Sequence, residues 1–152
     1  MGLGRYIITQ EVILSNNTGA NNTAIGRSAL TSNTSGGNNT ALGYVALLSN
    51  ITGHSNTASG YAALWLNTYG AQNTATGLNA LYDNTTGSQN TATGVQALEN
   101  NTTASYNVAN GFQSLYLNIT GTQNTAIGTG SMQKNTTGSY CVANGFQALY
   151  SN

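Results

Sequence analysis

Along this chain an alanine is followed two residues later by a glycine, and a pair that is Ala-Leu in six of eight blocks (Ser114-Leu115 and Ser131-Met132 in the others) follows, all at a fixed spacing of 17 residues. Eight copies begin at Asn16, Asn33, Asn50, Asn67, Asn84, Asn101, Asn118 and Asn135 and run to Ser151 without insertion or deletion. Their consensus is N-T-T-G-x-Q-N-T-A-x-G-x-x-A-L-x-x, with Asn at position 1, Ala at position 9 and Gly at position 11 in every copy. Such strict self-similarity is the signature of a stacked repeat architecture. Positions 7 to 11 alternate like a short strand, placing Ala and Gly on one face and Thr with the variable residue on the other. Positions 14 to 16, Ala-Leu-x, predict a second strand whose leucine fills the coil interior. N-T-T-G at positions 1 to 4 reads as a turn, since Asn tolerates positive φ and Gly adopts it without steric cost.

The expected fold is therefore all-β: a parallel β-solenoid, or β-roll, of eight 17-residue coils. Stacked at a strand spacing of ~4.8 Å, eight coils make a rod of roughly 40 Å in which each column is a ladder of like residues. Asn and Thr ladders would bond along the axis, giving rigidity to a polar chain. Residues 1–15 read as a cap or lead-in, with Val12 to Ser15 resembling the closing half of a coil, and residues 16–152 as a solenoid expected to continue beyond Asn152. The representative structural positions are Asn84, Ala92, Gly94 and Leu98. Positions 10 and 12 carry Ile25, Leu42 and Ile127 and Tyr44, Tyr61, Leu78, Val95, Phe112 and Phe146, an apolar strip too long to be left wet, so self-association is expected.

Composition sharpens this picture. Asn and Thr supply 23 residues each and Gly 19, with no Pro, which suits a backbone whose N–H groups are nearly all committed to ladders. Three basic and three acidic residues cancel, and the basic ones are scattered, so clustered phosphate contacts and nucleic-acid binding are not expected. No apolar run approaches a membrane span.

The stretch N-T-A-I-G-x-x-A-L, Asn22 to Leu30 and with two changes Asn124 to Met132, resembles the head repeats of trimeric autotransporter adhesins. Extended to N-T-A-x-G-x-x-A-L-x-x-N-T-T-G, it is also similar to repeats of phage tail-fibre-like proteins. The resemblance implies a left-handed roll of three chains about one axis, a homotrimer in which this chain is shaft or head, and attachment to a glycan or cell-surface receptor. It implies an extracellular, cell-surface or virion location. A ligand-binding solenoid for glycan or ice, or a subunit of a self-assembling filament, is the alternative.

No constellation of side chains points to catalysis, a cofactor or a metal, and an enzyme is not expected. His54 reads as a solvated variant of a turn position, Asp83 and Glu99 as surface carboxylates about one coil apart, and Cys141 as a small buried thiol. Tyr106 and Tyr140 at position 6 are the candidate surface-binding residues, because other copies place Asn, Ser or Gln there beside an exposed turn. Ten N-x-S/T sequons, at Asn16, Asn21, Asn33, Asn38, Asn50, Asn84, Asn100, Asn101, Asn118 and Asn135, follow mostly from the repeated N-T-T turn.

Overall fold

The computed structural model describes residues 18–152 together with the strand at Tyr6–Ile7; the expected cap and its Val12 to Ser15 segment otherwise lie outside the described residues. A two-residue strand precedes the repeats and each coil contributes one strand of three residues. In chain order they are β1 (Tyr6–Ile7), β2 (Thr23–Ile25), β3 (Thr40–Leu42), β4 (Thr57–Ser59), β5 (Thr74–Thr76), β6 (Thr91–Thr93), β7 (Val108–Asn110), β8 (Thr125–Ile127) and β9 (Val142–Asn144). They build one parallel sheet in sequence order, every partner 17 residues apart, so that Thr74 pairs with Thr91 and Ala75 with Ala92. Even β1 keeps that offset, with Tyr6 opposite Thr23. The chain is a parallel β-solenoid, and no helix occurs among the described residues. Within β2 to β9 alanine points inward and its neighbours outward: Ala92 is fully buried between exposed Thr91 and Thr93.

The second strand expected at positions 14 to 16 is not there. That segment is a run of turns in which positions 13 and 15 take positive φ, as at Gln96 (φ 59°) and Leu98 (φ 52°). Positive φ closes tight turns, with Ala97 N donating to Gly94 O and Asn101 N to Leu98 O. It also aims the backbone amides along the stack: Gln96 N donates back to Leu78 O in the preceding coil, and Leu98 N forward to Ser114 O in the following one. The neighbouring coils therefore absorb a conformation that costs an isolated L-residue roughly 1–2 kcal/mol. The position-15 leucines fill the interior as expected from Leu30 through Leu115, with Met132, all fully buried beside the alanines of positions 9 and 14, whereas Leu149 in the eighth coil is exposed. Valine is the least suited of the residues at position 13, because a β-branched side chain at φ 51° is crowded at Val45. Val45→Asn, which matches Asn79 in the same column, should raise stability by about 1 kcal/mol, measurable as a shifted denaturant midpoint at unchanged slope.

Position 4 departs from the turn chemistry read from sequence. None of the described position-4 glycines has positive φ. Glycine is needed there because a Cβ would overlap the next coil's backbone carbonyl and the position-1 asparagine; at Gly36 the asparagine atoms would lie at 2.6 Å (Asn33 Oδ1) and 2.8 Å (Asn50 Nδ2). Ala104 alone carries that methyl. Beside it the Asn118 Nδ2 to Asn101 Oδ1 bond lengthens to 3.2 Å, against 2.7 Å for Asn50 to Asn33 and 2.8 Å for Asn84 to Asn67.

The asparagines of positions 1 and 7 are interior residues and not surface turn residues; Asn33 to Asn135 and Asn39 to Asn124 line the coil at essentially zero exposure. Position 1 forms a side-chain ladder: Asn67 Nδ2 donates to Asn50 Oδ1 at 2.9 Å and to Gly70 O at 3.0 Å, and its Oδ1 accepts from Asn84 at 2.8 Å. Position 7 staples side chain to backbone: Asn73 N donates to Asn56 Oδ1 at 2.9 Å, while Asn73 Nδ2 donates to Gly87 O at 2.8 Å. These columns satisfy the polar interior of a rod with little apolar volume. Threonines of position 2 also bond along the axis, their hydroxyls donating to the next coil's backbone, as Thr85 Oγ1 does to Thr102 O at 3.0 Å.

Candidate interaction surface

Because the strand pleat sends positions 8 and 10 outward and the Gly at position 11 redirects the chain, positions 8, 10 and 12 lie on the outside of the rod. Ile25, Leu42 and Ile127 at position 10 and Tyr44, Tyr61, Leu78, Val95, Phe112 and Phe146 at position 12 are all exposed, as the alternation predicts. Tyr44 stacks on Tyr61 with ring centroids 5.3 Å apart, showing how equivalent side chains of successive coils touch. The face carries one charge, Arg27, among its position-12 residues.

Tyr106 and Tyr140 stand on the rim, 58% and 77% exposed, at φ 63° and 61° like every described residue of their column. Their backbone amides donate to Ser88 O and Thr122 O in the preceding coils. The fold thus holds each ring's base rigidly and leaves the ring free. They lie two coils apart with Gln123 between, so they do not form one site. Asn84, Ala92 and Leu98 are fully buried and Gly94 has φ +132°, so these four belong to the scaffold.

A second cluster on the flank was only partly legible. Asp83 and Glu99 are indeed one coil apart, joined by the bond from Asp83 N to Glu99 O at 2.9 Å. Trp65 and Tyr82 pack edge to face at 4.7 Å in the same column as Glu99. Glu99 accepts side-chain bonds from Gln96 and Asn79, yet its buried Oε2, the Trp65 indole N–H and Asn79 Oδ1 have no partner. Burial raises the Glu99 pKa above its ordinary value, the Asp83 charge adds to this, and the Gln96 and Asn79 bonds oppose it; burial also raises Asp83. For Tyr82 burial comes first, followed by the Asp83, Tyr61 and Glu99 charges. A carboxyl whose folded pKa exceeds its unfolded value holds more protons when folded, so stability falls as pH rises through that window. Stability should therefore decline from acid towards neutral pH, starting near the ordinary Glu value of 4.5, and Glu99→Gln should flatten that part of the curve and raise stability at neutral pH. Chemical denaturation across a pH series checks it; an unchanged slope in Glu99→Gln would assign the dependence elsewhere.

His54 is exposed, its ring Nδ1 lying 3.4 Å from Ser55 Oγ, and Cys141 is half-buried. Among the described residues no group of three or more His, Cys, Asp or Glu is placed to hold a metal ion, and no helix is long and apolar enough to cross a membrane. In comparisons with protein families, curated proteins and solved structures, nothing matches this chain.

Proposed function

We propose that this chain is a structural and adhesive module of an extracellular or virion fibre, the shaft or head of a homotrimer that attaches to a glycan or cell surface. The observation that carries the reading is the outward apolar face: nine large side chains at positions 10 and 12, repeated at the pitch of the coils, on a nearly uncharged rod. Identical pitch lets copies of the chain pack their ladders in phase, burying a strip roughly 40 Å long. The sequence resemblance to adhesin heads and tail-fibre repeats supports the same reading. A ligand-binding solenoid is favoured instead by one patch, the exposed threonines Thr74, Thr76, Thr91 and Thr93 on β5 and β6, which form a regular hydroxyl array.

Oligomer mass separates the two. Light scattering at micromolar concentration should give three chains per particle; a folded monomer would remove the fibre reading and leave the solitary binding solenoid. Tyr106→Gln with Tyr140→Gln should then keep fold and trimer while weakening retention on a glycan-coated or cell-coated surface, since aromatic faces stack on sugar rings and glutamine already occupies this column at Gln89 and Gln123. Dissociation of the oligomer in that double variant would place both tyrosines in the interface between chains.

A further inference from the structure

Seven of the ten sequon asparagines occupy position 1, and at the six that lie among the described residues the structure gives the acceptor nitrogen no freedom. Asn33, Asn50, Asn84, Asn101, Asn118 and Asn135 are fully buried. Nδ2, the atom to which an oligosaccharide is attached, spends both hydrogens inside the coil. Asn84 Nδ2 donates to Asn67 Oδ1 at 2.8 Å and to Gly87 O at 2.9 Å; Asn101, Asn118 and Asn135 repeat the pair. Attachment replaces one of those hydrogens with a sugar carbon, in a space where even a single methyl at position 4 lengthens the ladder. From this geometry we infer that asparagine-linked glycosylation and folding exclude one another at these six positions. Asn21 and Asn38, exposed at position 6, are left as the fold-compatible acceptors. Asn100 is half-buried with its amide on Tyr116 O, next to buried Asn101, and Asn16 is outside the described residues.

The reaction is transfer by an oligosaccharyltransferase from a lipid-diphosphate-linked sugar donor: the sugar C1–O bond breaks, the C1–Nδ2 bond forms, and the amide proton leaves as the lipid diphosphate departs. It acts on extended chain, before a coil closes. A glycan on Asn84 would take a hydrogen donated to Asn67 Oδ1 or to Gly87 O, and its bulk would hold the side chain out of the place where its Oδ1 accepts from Asn101 Nδ2, so one modification separates the stack on both sides. Whatever route takes this rod to its place of work must deliver the position-1 asparagines unmodified. The inference is independent of the proposed fibre role.

The sequons can be removed without touching the ladder, because their hydroxyl residues, Ser35, Thr52, Thr86, Thr103, Thr120 and Thr137, are all exposed. The full chain, behind a cleavable signal peptide, is translated with and without glycosylating microsomes, alongside a variant with those six residues changed to Ala. Protease-resistant and protease-sensitive fractions are then mapped for glycan by peptide mass spectrometry. Without microsomes both proteins should be resistant, which shows that the substitutions spare the fold. With microsomes, wild-type molecules glycosylated at position 1 should fall wholly in the sensitive fraction, and the variant should stay resistant while carrying glycan at Asn21 or Asn38. Resistant wild-type molecules free of position-1 glycan support the exclusion equally, the coil having closed first. Resistant molecules bearing glycan on Asn84 or Asn101 overturn it.

Discussion

Gly94→Val is expected to cost more than about 4 kcal/mol and to part the Asn84 coil from the Asn101 coil. Two independent obstacles meet at this residue. Its φ of +132° is a region that L side chains rarely adopt, and a Cβ there would sit 2.5 Å from Gly111 O and 2.7 Å from Gly111 C in the following coil. Strain in such a φ region alone is worth about 1–3 kcal/mol. Gly145 separates the two, because it shares the conformation, φ +129°, yet a Cβ there meets nothing within 4 Å. Gly145→Val should therefore lose only the conformational part, and the difference between the variants in equilibrium denaturation measures the steric part. Equal losses would mean that coil-to-coil contact contributes nothing at position 11.

The second large effect belongs to the asparagine ladder. Asn84→Ala removes the donor to Asn67 Oδ1 and the acceptor for Asn101 Nδ2, whereas Gly87 O keeps its bond from Asn73 Nδ2. Asn67 Oδ1 is thus left without its donor and Asn101 Nδ2 keeps only its bond to Ala104 O, so that one buried hydrogen-bonding position goes unfilled on each side; at about 1–3 kcal/mol apiece the loss should be about 2–6 kcal/mol. An exposed control such as Thr86→Ala should change stability by less than about 0.5 kcal/mol. A loss for Asn84→Ala no larger than the control's would show that the ladder bonds merely replace bonds to water.

What the sequence made legible is what depends on volume and period. Ala92 and Leu98 had to face inward because they are the repeated apolar residues, and Gly94 stood out because no other residue ever replaces it in its column. What stayed hidden depends on the stack. Nothing in the intrinsic preferences of leucine or glutamine favours φ near 50–60°, and Leu98 and Gln96 take it because amides on adjacent coils then find carbonyls. Asn84 read both as a turn residue and as a rung of an Asn ladder; the ladder is there, and what local preference did not show is that it lies inside the coil with both amide groups engaged. Strand-like composition at positions 14 to 16 misled for the same reason: Ala97-Leu98 is apolar enough for a strand, and inter-coil bonding turned it into two tight turns. The Glu99 cluster was half visible, as an acid pair one coil apart, while the partners Asn79 and Gln96 needed the side-by-side placement of positions 13 and 16.

The constant 17-residue offset means that, among the described residues, each strand pairs only with its neighbours in sequence. Mechanically and thermodynamically the molecule is therefore a one-dimensional lattice: information about a defect, a bound ligand or a strained turn travels serially or not at all. A break at one coil leaves two shorter blocks that melt separately, each with a midpoint set by its own number of coils.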